Sequence, residues 1–248
     1  MLVRRIFQFL IVFAAGMVFL FLLKYSLNLS DYVIPSPQDI WINGRDIFGV
    51  YLKDTLDTLL VAVIGQVISV FLAFIVAIGA RKQSFVGTFV KAAAYNIQAY
   101  PIVALAPIIF ILIGDGFLSR LLIAAMICYF PLLLSVVGIL AQPITEVEHF
   151  YQQTGRMRWQ LEVKIRAFEN LPKLTTVIAG SATLAMAGTI VAEFIAADAG
   201  IGYSIRIALY QSDLSKILVA LFMIGITLSM YQGTLEIAGR LVKNAWEQ

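Results

Sequence analysis

The sequence predicts an all-α protein that crosses a membrane several times, and three observations predict it. The 248-residue chain is 60% hydrophobic with only 13% charged residues, and its mean hydropathy is +0.89; soluble domains carry about 25% charge and about 45–50% apolar residues. Its apolar residues gather in six long runs, and in lipid a run of that length satisfies its own amides as a helix. Its lysines and arginines concentrate on alternate connections between the runs. The net charge of +3 is too small to argue for a nucleic-acid partner and reads as topology. The single cysteine, Cys128, excludes an intrachain disulfide or a cysteine-rich metal site and reads as a small core residue.

Crossing a bilayer takes roughly 20 apolar residues. The first run, residues 6–23, follows the basic start Arg4-Arg5. It exceeds the roughly 7–15 residues of a signal-peptide core, and Lys24-Tyr25-Ser26-Leu27 makes a poor cleavage site, so a retained span is expected. Ile34-Pro35-Ser36-Pro37 follows, where each proline holds its predecessor extended; a short surface helix is expected over 37–48. The second and third spans are placed at 58–80 and 86–113. Gly114-Asp115-Gly116 makes a turn into the fourth, 117–140. A charged segment occupies 143–172, and the fifth and sixth spans lie at 174–197 and 217–235. The whole chain, 1–248, reads as one transmembrane domain.

Orientation follows from the cations. With a cytoplasmic N-terminus, twelve lie inside (Arg4, Arg5, Arg81, Lys82, Lys91, Arg156, Arg158, Lys164, Arg166, Lys173, Arg240, Lys243) and six outside (Lys24, Arg45, Lys53, Arg120, Arg206, Lys216). That asymmetry puts both termini and the 143–172 segment in the cytoplasm of an inner (plasma) membrane.

The charged segment opens with Thr145-Glu146-Val147-Glu148, a capping box that starts a helix running to about Thr154. Gly155 then permits a bend. In a second helix Met157, Leu161, Ile165 and Phe168 line up one apolar stripe, while Arg158, Glu162, Arg166 and Glu169 alternate in sign on another face. Leu171-Pro172 ends it. The pattern fits a solvated connector, a helix lying on anionic membrane lipid, or a protein-docking surface; Glu162 and Glu169 dilute the charge that lipid would favour.

Gly155, Arg158-Trp159-Gln160-Leu161 and Leu171-Pro172 resemble the cytoplasmic loop of ABC importer permeases, most closely those serving sulfonates, taurine, nitrate, bicarbonate and thiamine-precursor pyrimidines. The resemblance covers nearly the whole chain. Ile34-Pro35-Ser36-Pro37 is similar to the family's Leu-Pro-Ser-Pro, Tyr100-Pro101-Ile102-Val103-Ala104-Leu105-Ala106-Pro107 to its proline-rich third span, Phe130-Pro131 to its fourth, and the run from Val191 to Tyr203 to its fifth-span ending. Departures fall in the loop: His149-Phe150-Tyr151 stands where Glu-Ala-Ala is usual, Arg156 replaces an alanine, and Ala167-Phe168 replaces the first Leu-Pro.

The resemblance implies a type I importer-like permease with a cytoplasmic coupling helix, working as a homodimer with a cytoplasmic ATPase dimer and an extracytoplasmic substrate-binding protein. It assigns ATPase coupling to His149, Tyr151, Gly155, Arg156, Arg158, Trp159, Leu161 and Glu162. The sequence has no G-x-x-x-x-G-K-[ST] loop, so ATP and magnesium are assigned to the partner and the chain is read as no enzyme. The expected solute is a small organic or inorganic anion, with a pyrimidine or other vitamin precursor as the alternative. A secondary transporter is the rival class, with no clear inverted repeat to favour it.

Charges inside a membrane are costly and point to function. Glu193, about one turn before the outer end of the fifth span, is read either as a gate residue paired with a cation such as Arg206, or as a hydrogen-bonding anchor for Gly200-Ile201-Gly202. Asn96, Gln98 and Tyr100 beside Pro101 form a polar patch, read as substrate contact or as interhelical hydrogen bonding. Gly188, Ala192, Ala196 and Gly200 form a small-residue stripe suited to close packing, within the chain or between copies.

Overall fold

The computed structural model describes residues 2–81, 84–99, 101–142 and 159–246, and within them every regular element is a helix. In chain order these are α1 (Leu2–Ser26), α2 (Pro37–Ala80), α3 (Phe85–Ala99), α4 (Ile102–Ile113), α5 (Phe117–Leu140), α6 (Trp159–Glu169), α7 (Leu171–Ile195), α8 (Ile201–Tyr210) and α9 (Leu214–Trp246). Helices α1, α2, α5, α7 and α9 are each long and apolar enough to cross a membrane, and the pair α3 and α4 makes a sixth span if counted as one bent element. The protein is thus an all-α, multi-spanning membrane protein. The expected helix over 145–154 lies outside the described residues.

Two expectations are corrected. The surface helix over 37–48 and the span from 58 are one continuous helix of 44 residues, α2. Ser36 is its N-cap: the Asp39 amide donates to Ser36 Oγ (3.2 Å) and the Ser36 amide to Asp39 Oδ2 (3.2 Å), with Pro37 preset for the first turn. Two glycines, Gly44 and Gly49, precede the apolar run, and isolated glycines do not break a helix. Nothing lies within 4 Å of where a Cβ on Gly49 would be. Gly49→Ala is therefore expected to raise stability by about 0.5–1 kcal/mol, read as a higher thermal midpoint in detergent.

The expected span over 86–113 is broken: α3 and α4 meet at 82° on either side of Tyr100-Pro101. Pro101 supplies no amide hydrogen and restrains its predecessor, so the helical ladder cannot run through it.

At the centre α2, α5 and α7 pack on one another, and α9 closes against α2 and α7. Their shared core is built of small and branched residues, including Ala73, Ala77, Leu132, Val136, Ala185 and Met186. The small-residue stripe works inside the chain: a Cβ on Gly188 would lie 3.1 Å from the Ala124 Cα of α5. Helix α1 buries no residue. It is held to α9 by Phe9 and Phe13 against Phe222 and by an Arg5–Glu236 ion pair. At the turn into α9, burial would raise the Asp213 pKa, but bonds from the Ser215 hydroxyl (2.6 Å) and the Lys216 amide (3.2 Å), with the Lys216 ammonium, hold it below the usual carboxylate value.

Candidate functional site

Glu193, in the last turn of α7, is completely buried. Burying an unpaired carboxylate is prohibitive, and the fold answers with three donors. Arg120 Nη1 of α5 lies 3.2 Å from Glu193 Oε1, while Thr58 Oγ1 of α2 (2.8 Å) and the Gly202 amide of α8 (3.0 Å) both donate to Oε2. Arg120 Nη1 also meets Asp57 Oδ2 at 2.6 Å, so one cation serves two carboxylates. The Ile201 amide donates to Thr58 Oγ1 at 2.9 Å. Four helices are thereby fixed around one side chain.

The turn before α8 must be glycine-rich for this to happen. Gly200 has φ +91°, and a Cβ there would fall 2.2 Å from the Glu193 carboxyl carbon; on Gly202 it would fall 2.4 Å from the Ile190 carbonyl oxygen. α8 is held further by Ser204 Oγ donating to Asp54 Oδ2 (2.5 Å). Arg206 does not pair with Glu193. Its Nη2 donates to the Ala197 carbonyl (2.6 Å) and its guanidinium lies over the Tyr203 ring; Arg120 takes the place expected of it.

Of the other expected site residues, those described do not join this cluster. Asn96 and Gln98 are exposed near the end of α3, and Tyr100 lies outside the described residues, as do His149, Tyr151, Gly155, Arg156 and Arg158. The backbone places Trp159 and Leu161 in the first turn of α6. Glu162 is turned into the protein, between Arg81 (3.3 Å) and Arg166 (3.2 Å), so Glu162 and Arg166 of the charged face point inward, while Glu169 of that face and Phe168 of the apolar stripe are exposed. Sequence reasoning missed Arg120, Asp57 and Thr58. The available signal was that Arg120 stands one turn inside an apolar run, where a cation needs a buried partner.

No group of three or more His, Cys, Asp or Glu among the described residues is arranged to hold a metal ion. Residues 47–232 match the family described as binding-protein-dependent transport system inner membrane component. The chain belongs to this family. Its members are transport permeases and not enzymes, so this permease is a membrane component of an ABC-type importer system. It is 39% identical over 136 residues to the riboflavin transport system permease protein RibX of Chloroflexus aurantiacus, an alignment covering 54% of this chain and 50% of that one. It is 24% identical over 200 residues to the formylaminopyrimidine transport permease protein ThiX of Halalkalibacterium halodurans, covering 79% and 78%. The match thus spans only half the length of the riboflavin-type relative.

The permease also shows which side of α7 is unlike a lipid-facing surface. Its exposed positions include Thr176, Gly180, Thr183 and Ala187, at spacings that keep them on one face. Thr183 Oγ1 there accepts from Gln232 Nε2 of α9 (2.7 Å). The exposed positions in the apolar run of α2 instead include Leu60, Val67, Phe71 and Ile75, the large apolar side chains that lipid favours.

Proposed function

We propose that this permease forms, with a second copy, the translocation path of an importer, and that the Thr176, Gly180, Thr183 and Ala187 face of α7 borders that path. That face carries the reading. A helix surface of small and hydroxyl-bearing residues is poorly matched to lipid, yet suits a water-accessible passage or close approach by a like helix. The cation asymmetry supports cytoplasmic termini, which puts Glu193 near the outer mouth and α6 in the cytoplasm. There the 143–172 segment docks a partner ATPase dimer that binds ATP and magnesium. A binding protein delivers the solute from outside.

For the solute, a heterocyclic vitamin or vitamin precursor has more support than a small anion. The names of both relatives specify heterocycles, a flavin and a pyrimidine. Mass spectrometry of the small molecule released from the purified cognate binding protein tests the assignment. A flavin or aminopyrimidine is expected, and a sulfonate, nitrate or bicarbonate would return the reading to anion import.

A further inference from the structure

A second charged cluster sits at the opposite end of the bundle, and the path leaves it unexplained. Arg81, the C-cap of α2, is 8% exposed. Its Nη2 reaches Glu162 Oε2 of α6 at 3.3 Å, and Nη1 donates back to the Ile78 carbonyl. Glu162 Oε1 also meets Arg166 Nη2 (3.2 Å), whose Nη1 donates to the carbonyl of Leu140, the last residue of α5 (2.7 Å). Asn170, the single residue between α6 and α7, donates from Nδ2 to the Arg166 carbonyl (2.9 Å). One face of α6 therefore grips the ends of α2, α5 and α7.

These are the same three helices that Asp57, Thr58, Arg120 and Glu193 join at the opposite ends of α5 and α7, roughly 35 Å away along α2 at 1.5 Å per residue. Between the two clusters lie further cross-links. Gln66 Nε2 of α2 donates to Ile178 O (2.7 Å) and Ser181 Oγ (2.9 Å) of α7, and Ser69 Oγ donates to Ala125 O of α5 (2.9 Å). Tied at three levels, the trio resists internal shear and is built to move as one body. The apolar flank of α6 is packed less completely, leaving a cavity of about 290 Å³ beside Phe74, Ala167, Phe168 and Leu174. Apolar surfaces can slide over such a gap, whereas a shielded ion pair cannot separate without leaving a charge uncompensated.

We infer that Arg81, Glu162 and Arg166 are positioning residues that pass a displacement of α6 to the α2, α5 and α7 body, and through it to the Glu193 end. The inference rests on α6 belonging to the ATPase-docking segment. The test uses the assembled importer in proteoliposomes and measures solute transported per ATP hydrolysed for the parent, Glu162→Gln, Arg81→Gln and Arg81→Lys. Both glutamine variants are expected to keep ATPase co-purification and ATP hydrolysis while the ratio falls on the order of tenfold, within the range for residues that relay coupling. Arg81→Lys, which keeps the charge, retains most of it. A parent-like ratio in both glutamine variants overturns the relay alone, leaving the importer reading intact. Loss of folded permease or of bound ATPase in both would assign the cluster a purely structural role and equally overturn it. A parent complex whose transport ignores ATP would bring down the importer reading and the relay together.

Discussion

Arg120→Leu is expected to cost about 3–5 kcal/mol, the usual penalty for removing one member of a buried ion pair. Glu193 would keep its bonds from Thr58 and Gly202 but lose the only cation paired with it among the described residues, with Asp57 still adding negative charge. The measurement is thermal unfolding of the purified permease in detergent, together with the yield of inserted protein. Adding Glu193→Gln removes the uncompensated charge while preserving an acceptor for the Thr58 hydroxyl and the Gly202 amide. The double variant should therefore recover a substantial part of the loss. Equal destabilisation of the single and double variants would show that Arg120 matters through packing and not through charge.

Gly202→Ala is the second large effect. Its added methyl would meet the Ile190 carbonyl oxygen at 2.4 Å, Glu193 Cβ at 2.7 Å and the Phe194 amide nitrogen at 3.1 Å. Two of these three are backbone atoms of α7, so no side-chain end can swing aside. α8 must shift away, stretching both the Gly202–Glu193 and the Ile201–Thr58 bonds. Overpacking of this kind costs about 1–3 kcal/mol, and each lost bond to the buried acceptors adds to it. The expected readout is a lower thermal midpoint and earlier proteolysis within 198–213. Gly49→Ala in the same assay should move the midpoint the other way, since the same methyl there meets nothing.

The parts of the architecture that depend on composition were legible in the sequence. Long apolar runs need internal amide bonding, and this identified a polytopic helical protein without any knowledge of packing. Pro101 was visible as a helix disruptor, but treating 86–113 as one span overlooked how sharply it turns the chain. α2 was divided into a surface helix over 37–48 and a separate span from 58, whereas the helix that starts at the Ser36 capping box runs straight on into the apolar run.

Long-range pairings were the least legible. Arg120 and Glu193 are separated by 73 positions in the chain, and nothing local to either residue names the other. Arg206, closer in sequence to Glu193, was the natural guess and finds backbone carbonyls instead. Glu162 shows the same limit. Alternating charge along α6 left a solvated connector among its readings, yet Glu162 and Arg166 turn inward to Arg81 and to the Leu140 carbonyl at the end of α5. The glycines of the 200–202 turn were visible as a motif, although the reason for them is a carboxylate that occupies the space a side chain would need.

The most direct test of the account compares solute uptake in vesicles by the permease assembled with its active ATPase partner and with one made unable to hydrolyse ATP. Accumulation against a gradient is expected only with the active partner. Undiminished accumulation with the inactive one would contradict it.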